Sequence, residues 1–591
     1  MLKRFFFNSL SAFVGAWAAI VLLLIGLLIF LIGIFSSLSH GTGEELKAHS
    51  IMKIVLAGNI EETEGSGFDY TVLLSGKIEK AQTLRDIVNA LEKAKTNKYI
   101  DAVLIECKGV SAAPATLDAI RNAVKDFKKS GKRVFAYGDY MTMGDYYVAC
   151  TADAVYLNPA GSLNLQGLSG TALYLKDLLD TVGIQVEAVR VGSFKSAIEP
   201  YTSNEMSPAA RQQLDTLYND MWGYILSGIA AERKIDAKTI NNLVNNFLFL
   251  NQASVAKQNK LVDDCLYYRQ VEKILADYVG AKPEDLNMVS PTTVLGEQKE
   301  DIEADNQIAV LYASGDIAEY EGAGINCNNL VPIITRLAEN EKIKGMVLRV
   351  NSPGGSVFGS EQIGEALDYF KSKGKPLAVS MGDYAASGGY WISAGADIIY
   401  ADPLTVTGSI GIFGLVPNVS GLVEKIGVHP QTVSTNPGVL FPSIFYPMTA
   451  EQKAALQANI DQGYEKFINR VATGRHKPVD YIKKIAEGRV WSAIQAKKLG
   501  LVDELGGLQQ AVDWVAQKSN VKKPNIVNYP TPETNLWTKL VSSSIAQIPE
   551  MKAITERLQS QRLDEKAITL IEWFLLQNHV QARCPYYKIA M

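Results

Sequence analysis

Histidine and cysteine are both scarce, with five of each in 591 residues. Cys107, Cys150, Cys265, Cys327 and Cys584 form no CxxC pair. Zinc ribbons and thioredoxin-like redox sites are therefore excluded, and nothing calls for a metal or an organic cofactor. Cys107 and Cys150 lie in apolar runs and read as buried, inert thiols. His40, His49, His429, His476 and His579 sit in no motif that marks a Ser-His triad, and no G-x-S-x-G elbow surrounds Ser387. A basic excess is absent as well. Lys and Arg number 58 against 62 Asp and Glu, a net charge of -4, so nucleic acid, whose phosphates need clustered cations, is not an expected partner.

Charge is also missing from one long stretch. Residues Ala12 to Phe35 carry no ionisable side chain. As a helix this run would span about 36 Å, enough to cross a bilayer. Lys3 and Arg4 precede it, and the next charges are Glu44 and Glu45. The positive-inside rule then places the N-terminus in the cytoplasm and the rest of the chain across the membrane. A cleaved signal peptide would have a shorter apolar core and a small-residue cleavage site, so an uncleaved single-pass anchor is expected.

Beyond the anchor the length calls for more than one core. Strand-like and helix-like segments alternate, as in α/β folds with parallel strands. Val103-Leu104-Ile105 and Met346-Val347-Leu348 read as buried strands. Each precedes an amphipathic helix, Leu117 to Lys129 and Glu361 to Lys373, stopped by Gly131-Lys132 and Gly374-Lys375. These pairs belong to a duplication. Ile100, Ile120 and Gly131 recur as Ile343, Ile363 and Gly374, an offset of 243. After one inserted residue, Gly138-Asp139-Tyr140 recurs as Gly382-Asp383-Tyr384, and Gly167 and Gly183 recur as Gly411 and Gly427. The expected organisation is an anchor over residues 1–45, a first repeat over 46–290, a polar acidic linker over 291–306, a second repeat over 307–530 and an extension over 531–591. The extension holds an apolar run, Ala567 to Leu576, too short to span a membrane and read as a docking helix for the core, with subunit contact or membrane-surface contact as the alternatives.

The copies differ where chemistry is expected. The second reads Asn351-Ser352-Pro353-Gly354-Gly355-Ser356 after a strand, where the first has Lys108-Gly109-Val110-Ser111-Ala112-Ala113. Consecutive glycines let backbone N–H groups approach a developing oxyanion, although an ordinary tight turn reads the same way. The second copy also has Ser387 before Gly388-Gly389, at the start of a helix expected to run to Ala396, whereas the first has Met143. A serine there is either an N-cap or a nucleophile near free N–H donors. With histidine unavailable, a neutral lysine can serve as base, and burial favours the neutral form. Lys195, within Gly192-Ser193-Phe194-Lys195-Ser196-Ala197, belongs to the first copy, and Val439 stands at its counterpart. One copy has the serine and the other the lysine, so a single composite site is expected.

The motifs LRVNSPGGSV, AASGGYWIS, TGSIGIFG and GSFKSAIEP, within a similarity covering residues 50–530, resemble the signal peptide peptidase A (protease IV) family in its long, duplicated form. The resemblance implies tandem ClpP/crotonase-like domains, Ser387 as nucleophile and Lys195 as base. It implies that Ser409 hydrogen-bonds the lysine. Gly354, Gly355 and Gly388 are then the candidate oxyanion donors. It further implies cleavage of signal peptides and other apolar peptides at the bacterial inner membrane, on the extracytoplasmic side, by a homo-oligomer, a tetramer being favoured. A crotonase-like acyl-CoA enzyme and a catalytically silent envelope scaffold are the competing readings.

Overall fold

The computed structural model describes residues 45–63, 82–296, 304–319, 324–530 and 580–583. The expected anchor and the run Ala567 to Leu576 lie outside these residues. Among the described residues no helix is long and apolar enough to cross a membrane.

The first repeat contributes strands β1 (Ser50–Gly58), β2 (Ile100–Val110), β3 (Arg133–Gly138), β4 (Ala154–Leu157), β5 (Gln185–Val191), β6 (Asp264–Cys265) and β7 (Met288–Val289). All but β5 form one parallel sheet in the order β6-β4-β3-β2-β1-β7. The second contributes β8 (Gln307–Ser314), β9 (Ile317–Ala318), β10 (Ile325–Asn326), β11 (Ile343–Ser352), β12 (Gly354–Ser356), β13 (Leu377–Ala386), β14 (Ile398–Ala401), β15 (Val406–Gly408), β16 (Ile412–Asn418), β17 (Val490–Ser492), β18 (Glu504–Leu505) and β19 (Asn525–Tyr529). Its main sheet runs β17-β15-β13-β11-β8-β19, with β14 and β18 branching from β13. The central strands are buried on both faces, which is why they read as continuous apolar runs.

The helices after β2 and β11 span Pro114–Lys128 and Val357–Ser372, starting three to four residues before the expected points. Pro114 is preset for a first turn, and the Ser356 hydroxyl accepts the Gly359 N–H at 3.0 Å. Apolar periodicity becomes visible only where a face repeats over several turns, so it misses these first turns. The stretch read as linker begins with a helix, Pro291–Leu295, whose Val294 and Leu295 are buried with the first repeat's core. The helix at Ser387 is also shorter than expected and covers Gly388–Ser393.

The repeats are interlocked. The first core continues into Tyr384, Ala386, Leu404, Val406 and Val490 of the second. Asp383 accepts both the backbone N–H (2.8 Å) and the hydroxyl (2.7 Å) of Thr116, in the first turn of the helix Pro114–Lys128. A carboxylate there suits the positive end of the helix. Arg349 meets Glu62 across the same boundary at 2.5 and 3.1 Å, with both side chains buried. A third sheet joins the copies in the order β10-β9-β12-β20-β16-β5, where β20 is Val580–Arg583. In it β5 runs antiparallel to β16, from Val191 opposite Ile412 to Gln185 opposite Asn418. Strand β5 thus leaves its own repeat and delivers the segment that follows it, including Lys195, to the other.

Candidate active site

The local backbone at Ser387 is unusual. Strand β13 ends at Ala386 and the helix begins at Gly388, so Ser387 alone makes the turn, with φ 56° and ψ -116°. A non-glycine residue held there stores about 1–3 kcal/mol of strain, sustained only by its surroundings. The Ser387 N–H bonds the Gly408 carbonyl at 2.8 Å, and its own carbonyl accepts the Trp391 N–H at 2.8 Å. The side chain makes no capping bond. Ser387 therefore stands at the N-cap position without serving as a side-chain cap.

The hydroxyl instead meets Lys195, whose Nζ lies 2.7 Å from Ser387 Oγ. The same Nζ lies 3.1 Å from both the carbonyl and the hydroxyl of Ser409. Lys195, Ser387 and Ser409 all have 0% exposure. The Ser409 hydroxyl also faces the Gly488 carbonyl at 3.4 Å. If its proton goes there, its lone pair faces Lys195, and the lysine nitrogen is aimed at Ser387.

Several residues that the sequence did not single out hold Lys195 in place. Gln213, buried on the helix Pro208–Arg233, donates to the Phe194 carbonyl and the Ser196 hydroxyl and accepts the Val490 N–H at 3.2 Å. Arg190 donates to the Lys195 carbonyl at 3.1 Å. Gly488 has φ 72°, and a Cβ there would lie 2.6 Å from Lys195 Cβ. Two of these contacts, Gln213 with Val490 and Gly488 with Lys195, join segments more than 270 residues apart, and no local pattern announces them.

The expected oxyanion glycines are placed differently from one another. Gly388 opens the short helix after Ser387. Gly355 lies in β12, where a Cβ would fall 2.1 Å from the Ile317 carbonyl oxygen, so only glycine fits. The Gly354 N–H already bonds the Ser352 hydroxyl at 3.2 Å. Gly354 is thus engaged by its own loop, which weakens it as a donor to an outside oxygen.

Among the described residues the first repeat has no such site. At the place of Gly389 it carries Asp145, whose carboxylate accepts the N–H groups of Gly109 and Val110, each at 3.1 Å. In the first copy a carboxylate thus holds the loop's N–H groups, whereas at Gly389 a Cβ would lie 2.6 Å from the Ser352 carbonyl oxygen, so no side chain fits there. Cys107 and Cys150 are buried, and burial pushes both thiols up in pKa, so neither is a nucleophile at neutral pH.

The profile of peptidase family S49 matches residues 126–282 and 369–522. The chain belongs to peptidase family S49. It is a serine protease. The two matched stretches begin 243 residues apart, the offset of the repeat. The Clp protease profile matches residues 300–400, in agreement with a ClpP-like α/β fold. Protease 4 of Salmonella typhi is 33% identical over 88% of this chain and 87% of its own length. Protease 4 of Haemophilus influenzae is 35% identical over 75% and 74%. The chloroplastic serine protease SPPA of Arabidopsis thaliana is 27% identical over 89% of this chain and 77% of its own. The resemblance to the signal peptide peptidase A family is thereby borne out.

Proposed function

We propose that this S49 protease is a membrane-anchored endopeptidase whose nucleophile is Ser387 and whose general base is Lys195. The observation that carries the assignment is the 2.7 Å contact between Lys195 Nζ and Ser387 Oγ, made between two repeats that each lack the other's residue. A neutral amine has one lone pair and two N–H bonds. The lone pair would take the Ser387 proton while the N–H groups donate to the Ser409 carbonyl and hydroxyl. Complete burial disfavours the charged form of an amine, as this role requires.

Ser387 Oγ attacks a peptide carbonyl and passes its proton to Lys195. The oxyanion is received by N–H groups at Gly355 and Gly388, with Gly354 the weaker candidate. Collapse breaks the C–N bond, and the protonated Lys195 gives its proton to the leaving amine. Water, deprotonated by Lys195, then hydrolyses the acyl-enzyme. The substrates proposed are extended apolar peptides, including cleaved signal peptides, met at the extracytoplasmic face of the inner membrane. The uncharged run Ala12 to Phe35 supports the anchoring. A homo-oligomer, in the first instance a tetramer, is proposed from the resemblance.

The test compares the parent with Ser387→Ala and Lys195→Ala on a synthetic signal peptide, reading fragments by mass spectrometry. Both variants should fall by about 10³-fold or more in kcat with unchanged folding. Cleavage surviving Ser387→Ala would remove it as nucleophile. An inactive but folded parent would favour the silent scaffold.

A further inference from the structure

The mechanism makes no use of β20, yet this strand lies beside its parts. Val580–Arg583 runs antiparallel to β12, with Arg583 opposite Gly354, Ala582 opposite Gly355 and Gln581 opposite Ser356. On its other side it runs antiparallel to β16, with Gln581 opposite Phe413 and Val580 opposite Gly414. One neighbour is therefore the candidate oxyanion loop. The other is the strand that pairs with β5, just ahead of Lys195. Without β20, β12 and β16 would present facing backbone edges one strand apart. Such a slot binds an extended peptide through main-chain hydrogen bonds, whatever its side chains.

The site is also closed. A carbonyl carbon cannot approach a hydroxyl that water cannot touch, and Ser387 has 0% exposure. A substrate has to displace something to react. The segment best placed to be displaced is the one that already has a substrate's backbone form and lies along the glycine loop.

We infer that Val580–Arg583 is a built-in occupant of the substrate slot, which competes with extended peptides for β12 and β16 and so restrains the protease. The inference rests on the reading of Ser387 and Lys195 as the reacting pair. Because β20 is flanked on both sides, each of its interior N–H groups points at a neighbouring strand. A proline there removes one such bond and cannot be seated in the middle of a sheet.

The experiment uses the full chain carrying Ala582→Pro, with Gln581→Pro as an independent second disruption and Ala582→Ser as a control that keeps the strand. A tethered segment competes at an effective concentration of about millimolar, so its release should lower KM for a peptide substrate about tenfold. The kcat should not change, and Ala582→Ser should match the parent. A synthetic peptide of residues 578–583 added to Ala582→Pro should raise KM again. Binding is read separately by the anisotropy of a fluorescent extended peptide in the Ser387→Ala background, with and without Ala582→Pro. Tighter binding on Ala582→Pro supports the occupant even if the parent cleaves nothing, an outcome that would count against the dyad alone. Unchanged KM and unchanged binding in both proline variants, in chains that cleave normally, would overturn the occupant and leave the dyad standing.

Discussion

Gly488 offers a sharp test of whether the position of Lys195 limits the reaction. An alanine Cβ at Gly488 would lie 2.6 Å from Lys195 Cβ and 2.8 Å from Lys195 N, where ordinary contact begins at 3.4 Å. The atoms met are backbone and Cβ, so no flexible end can swing aside. Lys195 must move by most of an ångström, and displacement of a reacting group by about 1 Å costs on the order of 100-fold in rate. Gly488 also has φ 72°, where alanine is strained by about 1–2 kcal/mol whatever its neighbours. Gly280 separates the two effects. It has φ 71° at the end of the helix Tyr268–Val279, and a Cβ there would meet nothing within 4 Å. Gly280→Ala should lose a little thermal stability and keep its kcat. Gly488→Ala should lose stability and about 100-fold in kcat, with KM little changed. Steady-state kinetics on a peptide substrate, with thermal unfolding of each variant, reads both. A folded Gly488→Ala with kcat within about threefold of the parent would refute the reasoning.

Ser409→Ala should lower kcat about tenfold with KM unchanged, because it removes one of the contacts aiming Lys195 and costs about 1–1.5 kcal/mol; an unaltered pH–rate profile and kcat would deny Ser409 an orienting role. Arg349→Met leaves Glu62 buried without its cation and should destabilise by about 3–5 kcal/mol, while adding Glu62→Leu should recover most of the loss. Simple additivity of the two in denaturant unfolding would show that the pair is not coupled. Burial, reinforced by neighbouring Asp118, holds the Asp402 carboxyl well above the ordinary range. The folded state thus keeps a proton that the unfolded chain releases above about pH 4, so this group lowers stability as pH rises. Asp402→Asn mimics the protonated form, and its melting temperature should match the parent near pH 4 and exceed it by about 1–3 °C at pH 8. A gain that is the same at both pH values would contradict the raised pKa.

Much of the architecture is legible in one dimension. Strands β2 and β11 are visible because a strand buried on both faces must be apolar throughout. The duplication shows because related cores keep related side chains, as in Ile100 and Ile343 or Gly131 and Gly374. The complementary presence of Ser387 and Lys195 stands out against that background. Helix openings are less legible, since Pro114 and Ser356 act through a fixed φ and one hydrogen bond rather than through periodicity.

What the sequence determined by itself is therefore the repeated α/β unit and the pair of residues that break its symmetry. Tertiary structure alone decided how they meet. It sends β5 across to pair with β16, and it sets Gln213 and Gly488 against the Lys195 segment. It ties the first copy's loop at Gly109 and Val110 to Asp145, and it lays Val580–Arg583 along the glycine loop. The physical reason is common to all of these. Propensity and periodicity act between residues a few positions apart, whereas these contacts depend on chain segments brought together by the burial of each core and of the two cores against each other.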